Sequence, residues 1–111
     1  ALQELGMRRF PLVFGAMRGK QVPAMLRSLA ALEPIAVFTA VDDPGARAPR
    51  ALLETWQAAG GTGGRAMADP RQALEQAAGL RASPDQPVVV AGSLYLVGAV
   101  RAMLAGEEAA A

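Results

Sequence analysis

The stretch Val88-Val89-Val90-Ala91-Gly92-Ser93-Leu94-Tyr95-Leu96-Val97-Gly98 constrains the fold more than any other part of the chain. Val88 to Val90 is a short apolar, β-branched run, which reads as a strand buried on both faces. It stops at Gly92-Ser93, and apolar residues return with helical spacing at Leu96, Val97, Val100, Met103 and Leu104. Ser93 falls at the junction, where a helix needs a side-chain oxygen to cap its free N–H groups. A strand passing through glycine into a capped helix puts a hydroxyl and several backbone donors at one sheet edge. Open α/β proteins bind ligands at such edges.

The same alternation runs through the rest of the chain. Pro11 to Phe14 reads as a short strand ending at Gly15. Val22, Met25, Leu26, Leu29 and Leu32 mark one face of a helix, which Pro34 stops. Ile35 to Phe38 reads as a second buried strand, and Asp42-Asp43-Pro44-Gly45 as a loop. The next helix carries Leu52, Leu53, Trp56 and Ala59 and ends at Gly60-Gly61. Arg65 to Met67 has the makings of a short, weak strand. Asp69 and Pro70 supply an N-cap and a first helical position for another helix. Pro87 to Ala91 and a last helix follow, with residues 107–111 left as a fraying end. Strand–helix alternation with short links implies an α/β, Rossmann-like domain with a mostly parallel sheet, right-handed crossovers and helices on both faces.

Composition narrows the chemistry. A chain of 111 residues, 52% of them hydrophobic, suffices for one domain with its own core. It has neither cysteine nor histidine. Disulfides, Cys/His zinc sites, cysteine nucleophiles and a Ser-His-Asp triad within the chain are thereby excluded. A net charge of +1 gives no bulk electrostatic case for nucleic acid or membrane surfaces. No apolar run approaches the ~20 residues of a membrane helix. The N-terminus lacks a signal-peptide pattern, so the expected location is cytoplasmic.

In a parallel sheet the strand-to-helix loops share one edge: residues 15–21, 39–50, Asp69-Pro70 and Gly92-Ser93. Lys20, the only lysine against ten arginines, lies in the first loop between Gly19 and Gln21. It reads either as a solvated loop residue or as a charge facing a ligand. Arg47 and Arg50 lie in the second loop, and their planar donors suit a carboxylate or phosphate. Pairing with Asp42 and Asp43 accounts for them equally well. Gly92 and Ser93 read as a tight turn and a cap, or as an anion-binding junction. Trp56 is spaced as a core residue, and Asp69 as a cap. The run from Gly60 to Gly64 lacks a following Lys-Ser/Thr and is not a phosphate-cradling loop.

Together these residues say more. Val13-Phe14-Gly15-Ala16-Met17-Arg18-Gly19-Lys20-Gln21, then Pro49-Arg50-Ala51, then Val90-Ala91-Gly92-Ser93-Leu94-Tyr95 follow the order and spacing of a known pattern. The chain resembles, from about Leu12 to Leu104, the C-terminal domain of the folylpolyglutamate synthase/dihydrofolate synthase family, relatives of the Mur ligases. Where the family shows Asp-Lys-Asp, this chain has Gly19-Lys20-Gln21 and keeps only the lysine. Family members open this domain with a strand and an Asp-Gly-Ala-His-Asn loop, whereas residues 1–5 here read as the helix after that loop. The expectation is a fragment, residues 1–111, that lacks the family's first strand and its central ATPase domain.

What the resemblance implies is an ATP-dependent ligase. Such enzymes phosphorylate the carboxylate of a folate or dihydropteroate and let the amine of L-glutamate attack the acyl phosphate. The C-terminal domain closes over ATP and helps hold glutamate, while the central domain of the same parent chain carries the phosphate loop and magnesium. By match of motif, the candidate substrate-binding residues are Ser93, Lys20, Arg50 and Gly92. No catalytic residue and no metal ligand is expected within this chain, and alone it is expected to be inactive and to self-associate. The contrasting reading is a non-catalytic, Rossmann-like ligand-binding or interaction module, since fold does not dictate function.

Overall fold

A computed structural model describes residues 9–17, 21–40, 44–92 and 101. The elements alternate as the sequence implies: β1 (Pro11–Gly15), α1 (Val22–Ala30), β2 (Ile35–Phe38), α2 (Pro49–Ala58), β3 (Arg65–Ala66), α3 (Pro70–Gly79) and β4 (Val89–Gly92). The strands form one sheet in the order β3-β2-β1-β4, and every pairing is parallel. Two successive crossovers step outward from β1 to β2 to β3. The third carries the chain back across β2 and β1 to place β4 on the far side.

With crossovers of a single hand, that reversal of direction requires the third helix to lie on the opposite face. The packing follows this rule. The strand period of two sends Leu12, Phe14, Ala36 and Phe38 to one face, where they bury against Val22 and Leu26 of α1 and Leu52 and Trp56 of α2. Val13 and Val37 point the other way, onto Ala73 and Ala77 of α3. β4 alternates in the same sense, Val89 and Ala91 toward the first cluster and Val88 and Val90 toward the second.

The two faces differ in size of side chain. Phe14 and Phe38 meet edge-on with ring centroids 6.1 Å apart, and Phe38 and Trp56 are tilted at 5.8 Å. On the other face two alanines four residues apart let α3 approach the sheet closely.

Helix ends obey local chemistry. α2 closes in a Schellman motif: the Gly61 N–H donates to the Trp56 carbonyl at 2.9 Å, and the Gly60 N–H to that of Gln57 at 3.3 Å. Gly60 supplies the required left-handed backbone, at φ 99°. At the start of α3 the Asp69 carboxylate accepts from the Arg71 N–H at 3.1 Å, with Pro70 in the first turn.

Three expectations need correction. β4 is half-buried along its whole length rather than buried on both faces, because it ends the described sheet and pairs only with β1. Met25 sits on the shoulder of the α1 stripe and is exposed, while Val22, Leu26 and Leu29 carry the packing. Leu32 still packs on the core, but from a turn: its N–H donates to the Leu29 carbonyl at 3.0 Å, and Glu33 turns left-handed at φ 56°. The expected helix after Ser93 and the N-terminal residues 1–8 lie outside the described residues, apart from Arg101, which is helical. Among the described residues no helix is long and apolar enough to cross a membrane.

Candidate functional site

Because all strands are parallel, Gly15, Phe38, Ala66 and Gly92 end on the same edge of the sheet. Backbone bonds tie the chain together there. The Thr39 N–H donates to the Phe14 carbonyl at 2.9 Å, and the Met67 N–H to that of Phe38 at 2.8 Å. The fully buried Thr39 hydroxyl donates to the Ala68 carbonyl at 3.4 Å. The Arg47 N–H donates to the Ala16 carbonyl at 2.9 Å, and Met17 bridges Ala46 in antiparallel fashion. The second loop therefore folds back over the exit of β1.

The reversal of strand order falls between β1 and β4. In open α/β sheets, adjacent loops leave such a switch point toward opposite faces, and the crevice between them takes the ligand. Here two glycines flank it. Gly15 and Gly92 are register partners. Gly92 has φ 111°, and a Cβ placed on it would meet the Gly15 carbonyl oxygen at 2.1 Å. Its place in the motif thus has a structural reason: no side chain fits between the strand ends.

The candidates fare differently. Gly92 closes β4 at the switch point. Arg50 stands in the first turn of α2 and is exposed. Lys20 and Ser93 lie outside the described residues, as do Asp42 and Asp43. Arg47 is the residue that the motif match passes over. It is half-buried, its Nη2 donates to the Thr55 hydroxyl at 3.3 Å, and its Nε is buried without a partner among the described residues. The Thr55 hydroxyl in turn donates to the Ala51 carbonyl at 3.0 Å. In sequence Arg47 and Arg50 are alike; the bond to Ala16 separates them.

Two other features prove structural. Trp56 is buried in the core, and its Nε1–H donates to the Thr62 carbonyl at 3.4 Å. The glycine run from Gly60 to Gly64 wraps that ring, a Cβ on Gly61 meeting it at 2.1 Å. A cavity of about 330 Å³ lies at the opposite edge, where the strands begin, between Arg9, Glu33, Pro34 and Trp56. None of the described residues of the strand-to-helix loops lines it.

No known family model matches the sequence, and no curated protein matches it. The fold does find a counterpart. The chain is similar to the folylpolyglutamate synthase of Mycobacterium tuberculosis, whose structure was solved in complex with ADP and AMPPCP, at a TM-score of 0.70 and 25% identity. The match covers 86% of this chain and 23% of that one, so this chain spans under a quarter of the protein it matches. Motif and fold agree: this α/β chain is similar, over most of its length, to part of a folylpolyglutamate synthase.

Proposed function

We propose that this chain is the C-terminal domain of an ATP-dependent ligase that joins L-glutamate to folate or dihydropteroate. The observation that carries the reading is the fold match to a folylpolyglutamate synthase that binds ADP and AMPPCP. The switch-point edge is the part of the chain that faces the reaction.

In this reading ATP transfers its terminal phosphoryl group to the carboxylate of the folate or dihydropteroate, giving an acyl phosphate and ADP. The glutamate amine then attacks the acyl carbon, the C–O bond to phosphate breaks, and the nitrogen loses its proton. Amide and phosphate are the products. A neighbouring domain of the parent chain supplies the phosphate loop and the magnesium. Among the described residues no three acidic, His or Cys side chains gather to hold a metal.

The work left to this domain is to close over the nucleotide, exclude water and orient an amino acid that carries two carboxylates. Ser93 contacts glutamate through its hydroxyl and the backbone N–H groups beside it. Lys20 offers a positive charge to the cleft, and Arg50 a weaker one from the exposed first turn of α2. Gly92 lets the end of β4 lie against β1, so that the loop after it begins at the cleft floor.

The test is a ligation assay in the full-length parent protein, with Ser93→Ala and Lys20→Ala variants. Ser93→Ala raises the glutamate requirement and Lys20→Ala lowers turnover, while both fold, since a lost cap costs only about 1 kcal/mol. Wild-type rates for both across glutamate concentrations would remove these residues from the site. The 111-residue chain alone gives no ATP- and glutamate-dependent ligation; turnover above background would overturn the division of labour. A parent sequence without a glycine-rich phosphate loop or an Asp-Gly-Ala-His-Asn stretch would leave a stand-alone binding module instead.

A further inference from the structure

We propose that Arg47 is the oxyanion-binding residue of the switch-point edge, and that its contact with Thr55 is a resting position it leaves when the anion arrives. The inference rests on the ligase reading only for the identity of the oxyanion, a nucleotide phosphate or an amino-acid carboxylate. The rest comes from how this one side chain is held.

Its backbone is fixed. The Arg47 N–H bonds the Ala16 carbonyl at 2.9 Å, and the neighbouring Ala46 bridges Met17. The Cα therefore stands over the exit of β1, one residue past Gly15 and its close approach to Gly92. Wherever the guanidinium swings, it swings from that point.

Its side chain is poorly satisfied. A guanidinium has five N–H donors in a planar fork and is charged at every relevant pH. Among the described residues one donor has a partner, a neutral hydroxyl at 3.3 Å, long for such a bond. The Nε–H is buried with no partner among the described residues. A buried N–H left unmade is destabilising, more so on a charged group. The resting position is thus one that the side chain leaves readily once a better acceptor is offered. An oxyanion is that acceptor: its two oxygens match the Nε and Nη2 edge of the fork, and its charge offsets the cation. The surroundings agree. α2 begins beside Arg47 with Ala48 at its N-cap, no side-chain cap and no acidic residue in its first turn. The first turn of α2 thus adds no carboxylate of its own to compete.

Thr55 gives the inference its sharp test, because the two residues have opposite predicted effects. Titration calorimetry on the 111-residue chain uses two probes, inorganic pyrophosphate and L-glutamate, with melting curves on every variant. Arg47→Lys keeps the charge but loses the fork, and weakens binding of the preferred probe about tenfold. Thr55→Val frees Arg47 from its resting place and tightens binding about twofold to threefold, the reverse of what a merely structural strap predicts. Arg27→Gln, in the last turn of α1 and away from this edge, leaves the affinity within about twofold. Preference for pyrophosphate assigns the site to the nucleotide, and preference for L-glutamate to the amino acid. Arg47→Lys binding as wild type overturns the proposal, as does Thr55→Val binding no better than wild type, or wild type binding neither probe. Should Arg47→Lys melt before the assay temperature, the Thr55→Val arm decides by itself. Ligation by the parent protein is measured separately, so loss of the Arg47 role leaves the ligase reading standing or falling on its own assay.

Discussion

Replacing Gly92 by alanine tests whether the end of β4 is where the sheet and the candidate site constrain each other. The added Cβ would lie 2.1 Å from the Gly15 carbonyl oxygen and 3.1 Å from the carbonyl carbon. Ordinary contact needs about 3.5 Å, so the strand ends must part by more than about 1 Å. The obstacle is backbone on both sides, and no rotamer relieves it. The backbone at Gly92 is also left-handed, at φ 111°, which for a residue with a Cβ costs about 1–3 kcal/mol. Fraying the last β1–β4 pair adds about 1 kcal/mol. The expected loss is about 2–4 kcal/mol, a large share of the roughly 5–15 kcal/mol that holds a domain of this kind together.

Melting curves measure it directly. At about 4 °C per kcal/mol for a chain of this size, Gly92→Ala lowers the midpoint by roughly 8–16 °C. Gly79→Ala is the matched control. Gly79 ends α3 with no left-handed backbone and nothing within 4 Å of an added Cβ. The same chemical change there stabilises by up to about 1 kcal/mol through the lost freedom of the unfolded chain. If the two variants melt together, or Gly92→Ala melts with the wild type, the strand ends are not in contact as described.

Other changes probe the remaining supports. Asp69→Ala removes the N-cap acceptor of α3 and costs about 1 kcal/mol in denaturant unfolding, while leaving anion binding unchanged, because the Asp69 carboxylate is held on the Arg71 N–H. Gly61→Ala drives a methyl into the Trp56 ring, 2.1 Å from its nearest atom, and costs about 1–3 kcal/mol; emission of the only tryptophan should shift as the ring moves. Ala77→Leu overfills the close face of the sheet, lifting α3 from Val13 and Val37 at a cost of about 1–3 kcal/mol by thermal melt. The outer edge of β4 has no partner strand among the described residues, and its side chains are half-buried. Sedimentation should therefore show concentration-dependent self-association of the chain, and a monodisperse monomer would refute it.

The sequence was most informative where local chemistry decides. Ile35 to Phe38 is a strand because an apolar run bounded by Pro34 has no helical stripe to follow. Gly60 and Asp69 end and begin helices for reasons contained in their own few residues. Strand–helix alternation likewise implied parallel pairing and helices on both faces. It did not contain the return of β4 to the side of β1, because apolar Val88 to Val90 would suit a central strand as well as an end one. Burial on both faces was therefore expected where half-burial is found. The motif match singled out Gly92, whose structural reason is a contact with Gly15, remote in sequence. It ranked Arg50 over Arg47, since spacing carries no information about which backbone N–H reaches the Ala16 carbonyl. A periodic pattern records which face a residue takes; it does not record which loop folds over which strand.

The reversal of strand order ties these observations together. Had α3 led to a strand beyond β3, the chain would have continued in one direction, all helices on one face, and β1 would have ended the sheet with no neighbour after Gly15. Returning across β2 and β1 requires a helix on the other face that sits close, which Ala73 and Ala77 permit. It also sets a second strand end beside Gly15, which only a glycine at 92 permits. Those small residues are thus two consequences of one topological choice. The same choice sets the ends of β1 and β4 side by side at the switch point, next to the loop whose Arg47 N–H bonds the Ala16 carbonyl. Fold and candidate site are therefore not separable at this edge: loosening the Gly15–Gly92 contact should disturb ligand binding in proportion to stability, whereas changing Arg47 should disturb binding alone.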